Sequence, residues 1–251
     1  MKRVLIFGGT ADSHPLLEWL FQLDIQATLC VASNYAKTLL PCDEKLVIRV
    51  GRLNIAQMTM LMQDKHFDCV IDATHPYAKE VTYNIRAAAQ QIGLAYFRLL
   101  RPSSDEQGCV VVSSVARAAE LLNQSTGRVL IATGSKELAE YTQVTNFAER
   151  CYPRVLPMVE AIAQCVSLGF LQSHIIAMQG PFSQALNMAL FEQLGISMLV
   201  TKDGGAAGGF PEKLAAASAC NVKTILVRRP EDTGATLEQL KIKLTDFLRV
   251  N

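Results

Sequence analysis

The chain lacks almost every feature that would place it in a specialised class. It has no charge excess, since 24 lysines and arginines stand against 23 aspartates and glutamates for a formal net charge of +1. That balance argues against a nucleic-acid protein driven by bulk electrostatics, while leaving room for a local basic pocket. No apolar run is long enough to span a bilayer, so no membrane partner is expected. The seven cysteines, at 30, 42, 69, 109, 151, 165 and 220, form no Cys-x-x-Cys and no Cys/His cluster. Several lie in apolar runs, as small buried residues do; a reducing cytoplasm is expected, with neither a disulfide framework nor a metal site. The opening Met-Lys-Arg-Val-Leu-Ile-Phe-Gly-Gly is too short in its apolar part for a signal peptide and reads as a first strand. Low-complexity segments and visible internal repeats are missing as well. What is present is 251 residues, 50% of them apolar, enough for one large or two small domains with a substantial core.

Val4 to Phe7 is a short, continuous apolar run that suits a strand buried on both faces. Ala27 to Ala32, Leu46 to Val50, Cys69 to Ile71 and Ala95 to Leu99 read as the strands that follow it. Between them run helical patterns, one with Leu16, Leu17, Leu20 and Phe21 on a single face, another capped by Asn54. The polar, breaker-rich Arg101-Pro-Ser-Ser-Asp-Glu-Gln-Gly108 marks a domain boundary. Beyond it Val129 to Ala132, His174 to Ala177, Met198 to Thr201 and Thr224 to Val227 read as further strands. A helix over Phe182 to Leu194 ends at Gly195, and Thr236 with Gln239 forms a capping box for a closing helix. The expectation is α/β: two Rossmann-like lobes with mostly parallel sheets and a cleft between them. Residues 1–104 would form a dinucleotide-binding domain and residues 105–251 a domain for substrate and cofactor.

In such sheets ligands bind beyond the carboxyl ends of strands. Gly8-Gly9-Thr10-Ala11-Asp12-Ser13 follows the first strand, where glycines let the backbone approach a pyrophosphate and a helix start offers free N–H groups. It is not a full G-x-G-x-x-G, because Ser13 stands near the last expected glycine; a tight turn without ligand is the alternative. No acid occurs near residue 30 to hold ribose hydroxyls, and Ser33 and Lys37 could accept a 2′-phosphate instead, tilting the expectation from NADH toward NADPH. The run Asp72-Ala73-Thr74-His75-Pro76-Tyr77 places a carboxylate, a hydroxyl, an imidazole and a phenol at another strand end. The helical pattern starting at Tyr77 puts Pro76 early in a helix, and Asp72 and Thr74 could simply be caps.

Thr133-Gly134-Ser135-Lys136 lacks Walker spacing, so it could hold a phosphate or carboxylate or be a solvated helix start. Met178-Gln179-Gly180-Pro181-Phe182-Ser183 also lies at a strand-to-helix edge. The glycine-rich Lys202-Asp203-Gly204-Gly205 through Gly208-Gly209-Phe210-Pro211-Glu212-Lys213 fits a lid or a close backbone approach to a ligand. A Tyr-x-x-x-Lys pair of the sugar-epimerase kind is not supplied by Tyr77, Tyr83 or Tyr141, which are followed four places on by Val81, Ala87 and Thr145. A non-catalytic dinucleotide sensor would leave the second half's glycine loop and lysines without a task.

Taken together, Phe7-Gly-Gly-Thr-Ala, Ile71-Asp-Ala-Thr-His-Pro-Tyr-Ala, Thr133-Gly-Ser-Lys, Ala177-Met-Gln-Gly-Pro-Phe-Ser and Thr201-Lys-Asp through Gly209-Phe-Pro-Glu-Lys resemble the precorrin-6A reductase family of cobalamin biosynthesis, which includes cobalt-precorrin-6A reductases. The blocks occur in family order from about residue 3 to Pro230. One departure is Asp12-Ser13-His14, where the family's Glu and Arg are expected. The resemblance implies reduction of one macrocycle double bond by NADPH, with NADH as the alternative, and no metal supplied by the protein. It implies a small-molecule substrate rimmed with carboxylates, precorrin-6A or its cobalt form. The sequence leaves monomer and homodimer both open. Gly8, Gly9, Thr10, Ala11 and Asp12 would then serve the pyrophosphate and Ser33 and Lys37 the adenosine ribose. Asp72, Ala73 and Thr74 would lie by the nicotinamide ribose, and Gly134, Ser135 and Lys136 would meet cofactor phosphate or substrate. Gln179, Ser183, Lys202, Gly204, Gly205 and Lys213 would hold the substrate. His75, Tyr77 and Asp203 are the candidate proton donors, His75 first because imidazole titrates near working pH.

Overall fold

The structure, a computed structural model, describes residues 2–9, 13–23, 25–32, 43–101, 106–205, 208–229 and 231–249. The chain forms two compact units, one of Met1–Pro102 with Pro230–Asn251 and the other of Ser103–Arg229.

In the first unit β1 (Lys2–Phe7), α1 (Ser13–Phe21), β2 (Ile25–Val31), β3 (Leu46–Val50), α2 (Ile55–Asp64), β4 (Cys69–Asp72), α3 (Lys79–Ile92) and β5 (Ala95–Arg98) follow in order. The sheet order is β3-β2-β1-β4-β5, and every pairing is parallel. Both faces are covered, which explains the unbroken apolar runs. Val4 and Ile6 of β1 pack with Leu16, Leu17 and Leu20 of α1, whereas Leu5 and Phe7 pack with Met58, Leu61 and Met62 of α2 and Ile85 and Ala88 of α3. Asn54 and Gln57 close α2 with reciprocal side-chain to backbone bonds. The strand order reverses between β1 and β4, so their carboxyl ends flank the crevice where open α/β sheets hold ligands.

The second unit runs β6 (Cys109–Val112), α4 (Val115–Leu122), β7 (Arg128–Ala132), a 3-10 turn at Leu138–Gln143, α5 (Phe147–Arg150), β8 (Cys151–Val155), α6 (Val159–Ser167), β9 (Ile176–Ala177), α7 (Gln184–Leu194), β10 (Ile196–Lys202), α8 (Phe210–Ala219) and β11 (Lys223–Val227). Its sheet order is β6-β11-β10-β7-β8-β9, again parallel throughout. Here the reversal falls between β7 and β10. One face is covered by α4, the 3-10 turn and α6, the other by α7 and α8. Ser183 and Gly195 bound α7 as its sequence predicts.

Three expectations change. The closing helix α9 (Leu237–Leu248) does not belong to the second domain expected over residues 105–251, since Leu240, Leu244 and Leu248 are buried with Val4, Ile6 and Ile71 in the first unit. Ala235 completes that return by bonding Leu100 N–H and Arg98 C=O. Pro76 and Tyr77 lie in a turn before α3 and not in its first turn, and Ala78, which caps the helix, makes no side-chain cap bond. The run His174 to Ala177 is a strand only at Ile176–Ala177, because Gln172–His174 coils into a 3-10 turn. Among the described residues no helix is long and apolar enough to cross a membrane. Burial pushes the thiols of Cys30, Cys69 and Cys151 up to about 12, the behaviour of inert core cysteines.

Candidate active site

At the first unit's reversal point β1 ends in Gly8 and Gly9. A Cβ built on Gly8 would lie 2.4 Å from Ser13 Oγ, so only glycine lets the turn close on the start of α1. Ser13 is fully buried, and its hydroxyl accepts the Gly9 N–H at 3.1 Å. The serine in the place of a third glycine therefore ties the turn to the helix. Gly8 N–H donates to Cys30 C=O at 3.1 Å, and Ala73 N–H donates to Phe7 C=O at 2.8 Å, which sets the β4 turn beside the β1 turn. Thr10, Ala11, Asp12, Ser33 and Lys37 lie outside the described residues.

Asp72, the last residue of β4, is completely buried and faces inward. Its Oδ1 accepts from Thr74 Oγ1 at 2.6 Å, Thr74 N at 3.0 Å and Arg98 Nη1 at 2.9 Å, while Oδ2 accepts Tyr96 OH at 3.1 Å. Burial first, then the Asp72 charge, push the Tyr96 phenol up, which keeps it a donor. Arg98 Nη1 also donates to Thr74 C=O at 2.9 Å, and its Nε pairs with Asp232 at 2.7 Å. The Asp72 carboxylate, expected at the cofactor, is thus occupied in shaping the turn that carries Thr74, His75 and Tyr77. Neither Asp72 nor Thr74 caps α3. Thr74 Oγ1 also lies 3.1 Å from Thr82 Oγ1. His75 and Tyr77 are half-buried, and His75 Nδ1 accepts Tyr77 N–H at 3.3 Å, so a neutral ring carries its proton on Nε2.

At the second unit's reversal point Thr133 Oγ1 lies 3.1 Å from Tyr141 OH, and Ser135 C=O accepts Leu138 N–H at 3.2 Å. Gly134-Ser135-Lys136 therefore leads into a 3-10 turn, not a regular helix start. Lys202, at the end of β10, pairs with Glu137 from across the reversal point. Asp203, a proton-donor candidate, has its Oδ2 2.7 Å from Arg229 Nη2 and its Oδ1 accepting Gly205 N–H at 3.0 Å. A carboxylate held by a guanidinium and an amide acts as an acceptor; it fixes the start of the glycine loop. Gly204 stands between them in that loop. Gln179 is exposed and bonds the neighbouring Gly180 C=O, and Ser183 spends its hydroxyl on the Leu186 N–H of α7.

Lys213 is 7% exposed, with Nζ 3.2 Å from Thr201 Oγ1. Burial, followed by the Arg154 charge, lowers it to about 8. Arg154 was not singled out in the sequence. It is also 7% exposed, bonds Asn187 Oδ1 at 2.8 Å and lies 4.3 Å from the Phe182 ring centroid. Burial lowers it to about 10. The signal for Arg154, and for Arg98, was a charged residue near the end of an otherwise buried parallel strand.

Comparisons with known proteins bear on the family and the fold. A family model described as precorrin-6x reductase CbiJ/CobK matches residues 3–245. The cobalt-precorrin-6A reductase of Salmonella typhimurium is 35% identical over 232 residues, covering 90% of this chain and 87% of its own. That of Priestia megaterium is 30% identical over 232 residues, covering 91% of each chain. A solved structure of CobK precorrin-6A reductase superimposes with a TM-score of 0.78 at 26% identity, covering 98% of this chain and 97% of its own. The likeness takes in both sheet edges and the returning helix α9, and on it the chain belongs to the precorrin-6x reductase CbiJ/CobK family.

Proposed function

We propose that this chain reduces one double bond of precorrin-6A or cobalt-precorrin-6A to the 6B form, with NADPH as the preferred reductant and NADH as the alternative. The observation that carries the reading is the extent of the family match, residues 3–245, which includes both reversal points and every motif at them. A bound reduced nicotinamide would supply the hydride; the protein has to hold both ligands, exclude water and place a proton.

The first unit suits the dinucleotide. Gly8 and Gly9 bring bare backbone to the end of β1, and small Ala73 opens the turn after β4, which would let a pyrophosphate and ribose approach the backbone there. Thr10, Ala11 and Asp12 would serve the same pyrophosphate, and Ser33 and Lys37 would select a 2′-phosphate. Thr74, braced by Asp72 and Arg98, would stand by the nicotinamide ribose. His75 is the leading proton donor, because its Nδ1 accepts the Tyr77 N–H, which puts the proton of a neutral ring on Nε2. Tyr77 is the runner-up, and Asp203 becomes a positioning residue. The second unit suits the acidic macrocycle, through Ser135, Lys136, Lys202, Gly204, Gly205 and Lys213, with Gln179 and Ser183 at the adjoining edge.

Anaerobic incubation with the metal-free and the cobalt substrate in parallel, following nicotinamide absorbance, tests the reading. Consumption of NADPH with one of the two is expected; no consumption with either rejects it. His75→Ala should lower turnover at least tenfold with NADPH affinity nearly unchanged. Unchanged turnover in that variant removes His75 from the chemistry. Faster initial rates with NADH than with NADPH would reverse the cofactor preference.

A further inference from the structure

We infer that Arg154 and Lys213, on the α7–α8 face of the second sheet at its carboxyl edge, form a receptor for one carboxylate group of a polycarboxylate ligand. The inference deepens the proposed reduction, on which it rests for the ligand's identity, by naming where a macrocycle carboxylate is read.

The argument begins with the register. Leu199, Leu130 and Tyr152 lie side by side across β10, β7 and β8, and all three belong to the apolar layer under α7 and α8. Side chains repeat on one face every second residue. The next row toward the carboxyl edge on that face is therefore Thr201, Ala132 and Arg154. Thr201 pairs with Ala132, and Arg154 lies one residue beyond the Ile131–Pro153 pair. The row changes abruptly from apolar to polar, with the smallest side chain in the middle. Ala132 leaves space between the hydroxyl that meets Lys213 and the guanidinium of Arg154.

Both cations are held in place by neutral groups. Lys213 Nζ meets Thr201 Oγ1 at 3.2 Å, and Arg154 Nη1 meets Asn187 Oδ1 at 2.8 Å while its Cζ lies 4.3 Å from the Phe182 ring centroid. Gly209 caps α8 at φ +63°, a conformation suited to glycine, and a Cβ there would meet Pro181 at 3.4 Å, so the Phe182 loop and the helix carrying Lys213 are closely apposed. Among the described residues no carboxylate lies within ion-pair distance of Arg154 or Lys213, and only one guanidinium nitrogen of Arg154 has a protein acceptor. A fold tolerates the desolvation of two like charges most readily when a ligand completes the set. A guanidinium held at one nitrogen and packed over a ring presents further donors that match the oxygens of a carboxylate, and the nearby ammonium adds another.

The test uses the full chain with uroporphyrin, a stable tetrapyrrole bearing eight carboxylates, as the binding probe, and with precorrin-6A for kinetics. Arg154→Gln and Lys213→Met should each weaken uroporphyrin binding by about tenfold or more, as expected for loss of one charge-assisted contact. NADPH affinity, read from nucleotide fluorescence, should stay within about twofold. Arg154→Lys should recover part of the loss. Where Arg154→Gln fails to fold by circular dichroism, Ala132→Leu gives the decisive reading, because it fills the space and keeps both cations; the same loss of probe affinity supports the receptor. Unchanged probe affinity in a folded variant overturns it, and so does a selective loss of NADPH affinity, which would assign the cations to cofactor phosphate. If the wild type consumes NADPH with precorrin-6A but the variants keep its KM, the receptor fails and the reductase reading stands. If the wild type is inactive while the variants lose uroporphyrin, the reductase reading fails and the receptor stands.

Discussion

Each unit buries an arginine near the end of a short parallel strand, Arg98 in β5 and Arg154 in β8, and the two are surrounded in opposite ways. Arg98 is enclosed by Asp72, Asp232 and the Thr74 carbonyl, so its charge is neutralised inside the protein. Arg154 has an amide oxygen and an aromatic face, with buried Lys213 as a second positive charge nearby. A paired charge makes a rigid turn; a charge with no carboxylate partner keeps its attraction for an anion that arrives from outside. Burial alone does not distinguish the two uses. The partners do.

The largest effect that could break this contrast comes from Arg98→Met. It strands the carboxylates of Asp72 and Asp232, and losing one member of a buried ion pair costs about 3–5 kcal/mol. Trp19, the chain's single tryptophan, lies in α1 and reports unfolding of the first unit in urea. Arg154→Met should cost far less by circular dichroism, and equal losses in the two variants would erase the contrast. Next comes pH. Lys213 titrates at about 8 when folded against 10.5 unfolded. In that window the unfolded chain holds the extra proton, so stability should rise with pH by on the order of 3 kcal/mol. The groups acting on Lys213 are Arg154 from β8, which lowers it, with Asp203 beyond β10 and Glu212 on its own helix, which raise it. Lys213→Met should flatten the rise, and a rise of the same size in the variant would refute the assignment.

Gly8→Ala sharpens the comparison from the cofactor side. Its methyl would displace the Ser13 hydroxyl and orphan the Gly9 N–H, at a cost of about 1–3 kcal/mol, with a weaker NADPH complex. Wild-type stability and NADPH affinity would show that the turn gives way easily. The smallest effect belongs to Glu137→Gln. Glu137 sits at the solvent-exposed rim opposite Lys202, and exposed pairs are worth less than about 1 kcal/mol. A stability change above that would mean Lys202 is as tightly bound into the protein as Arg98.

Much of this was legible in the sequence, and the parts that were not share a cause. Unbroken apolar runs such as Val4 to Phe7 identify strands covered on both sides, and local signals such as Asn54, or Thr236 with Gln239, mark helix starts correctly. Two strands escaped. In β6, Cys109–Val112 is an edge strand with partly exposed residues, and in β8 Pro153 and Arg154 interrupt the pattern that strands usually show. The strand ends bearing Gly8, Thr74, His75 and Lys202 could be found because glycine and polar residues there follow apolar runs. The partners that give Asp72 and Asp203 their roles could not, because Asp232 and Arg229 are distant in sequence and nothing local marks them. Helix α9 was visible as amphipathic, but its leucines do not say which core they enter.

That last helix has a consequence for how the molecule is made. The first unit is discontinuous: its sheet is translated early, whereas Leu240, Leu244, Leu248 and the Asp232 clasp leave the ribosome only after residues 103–229 have done so. The inserted unit can therefore fold while the first still exposes the apolar surface that α9 will cover, reversing the usual order in which the earlier-made domain is finished first.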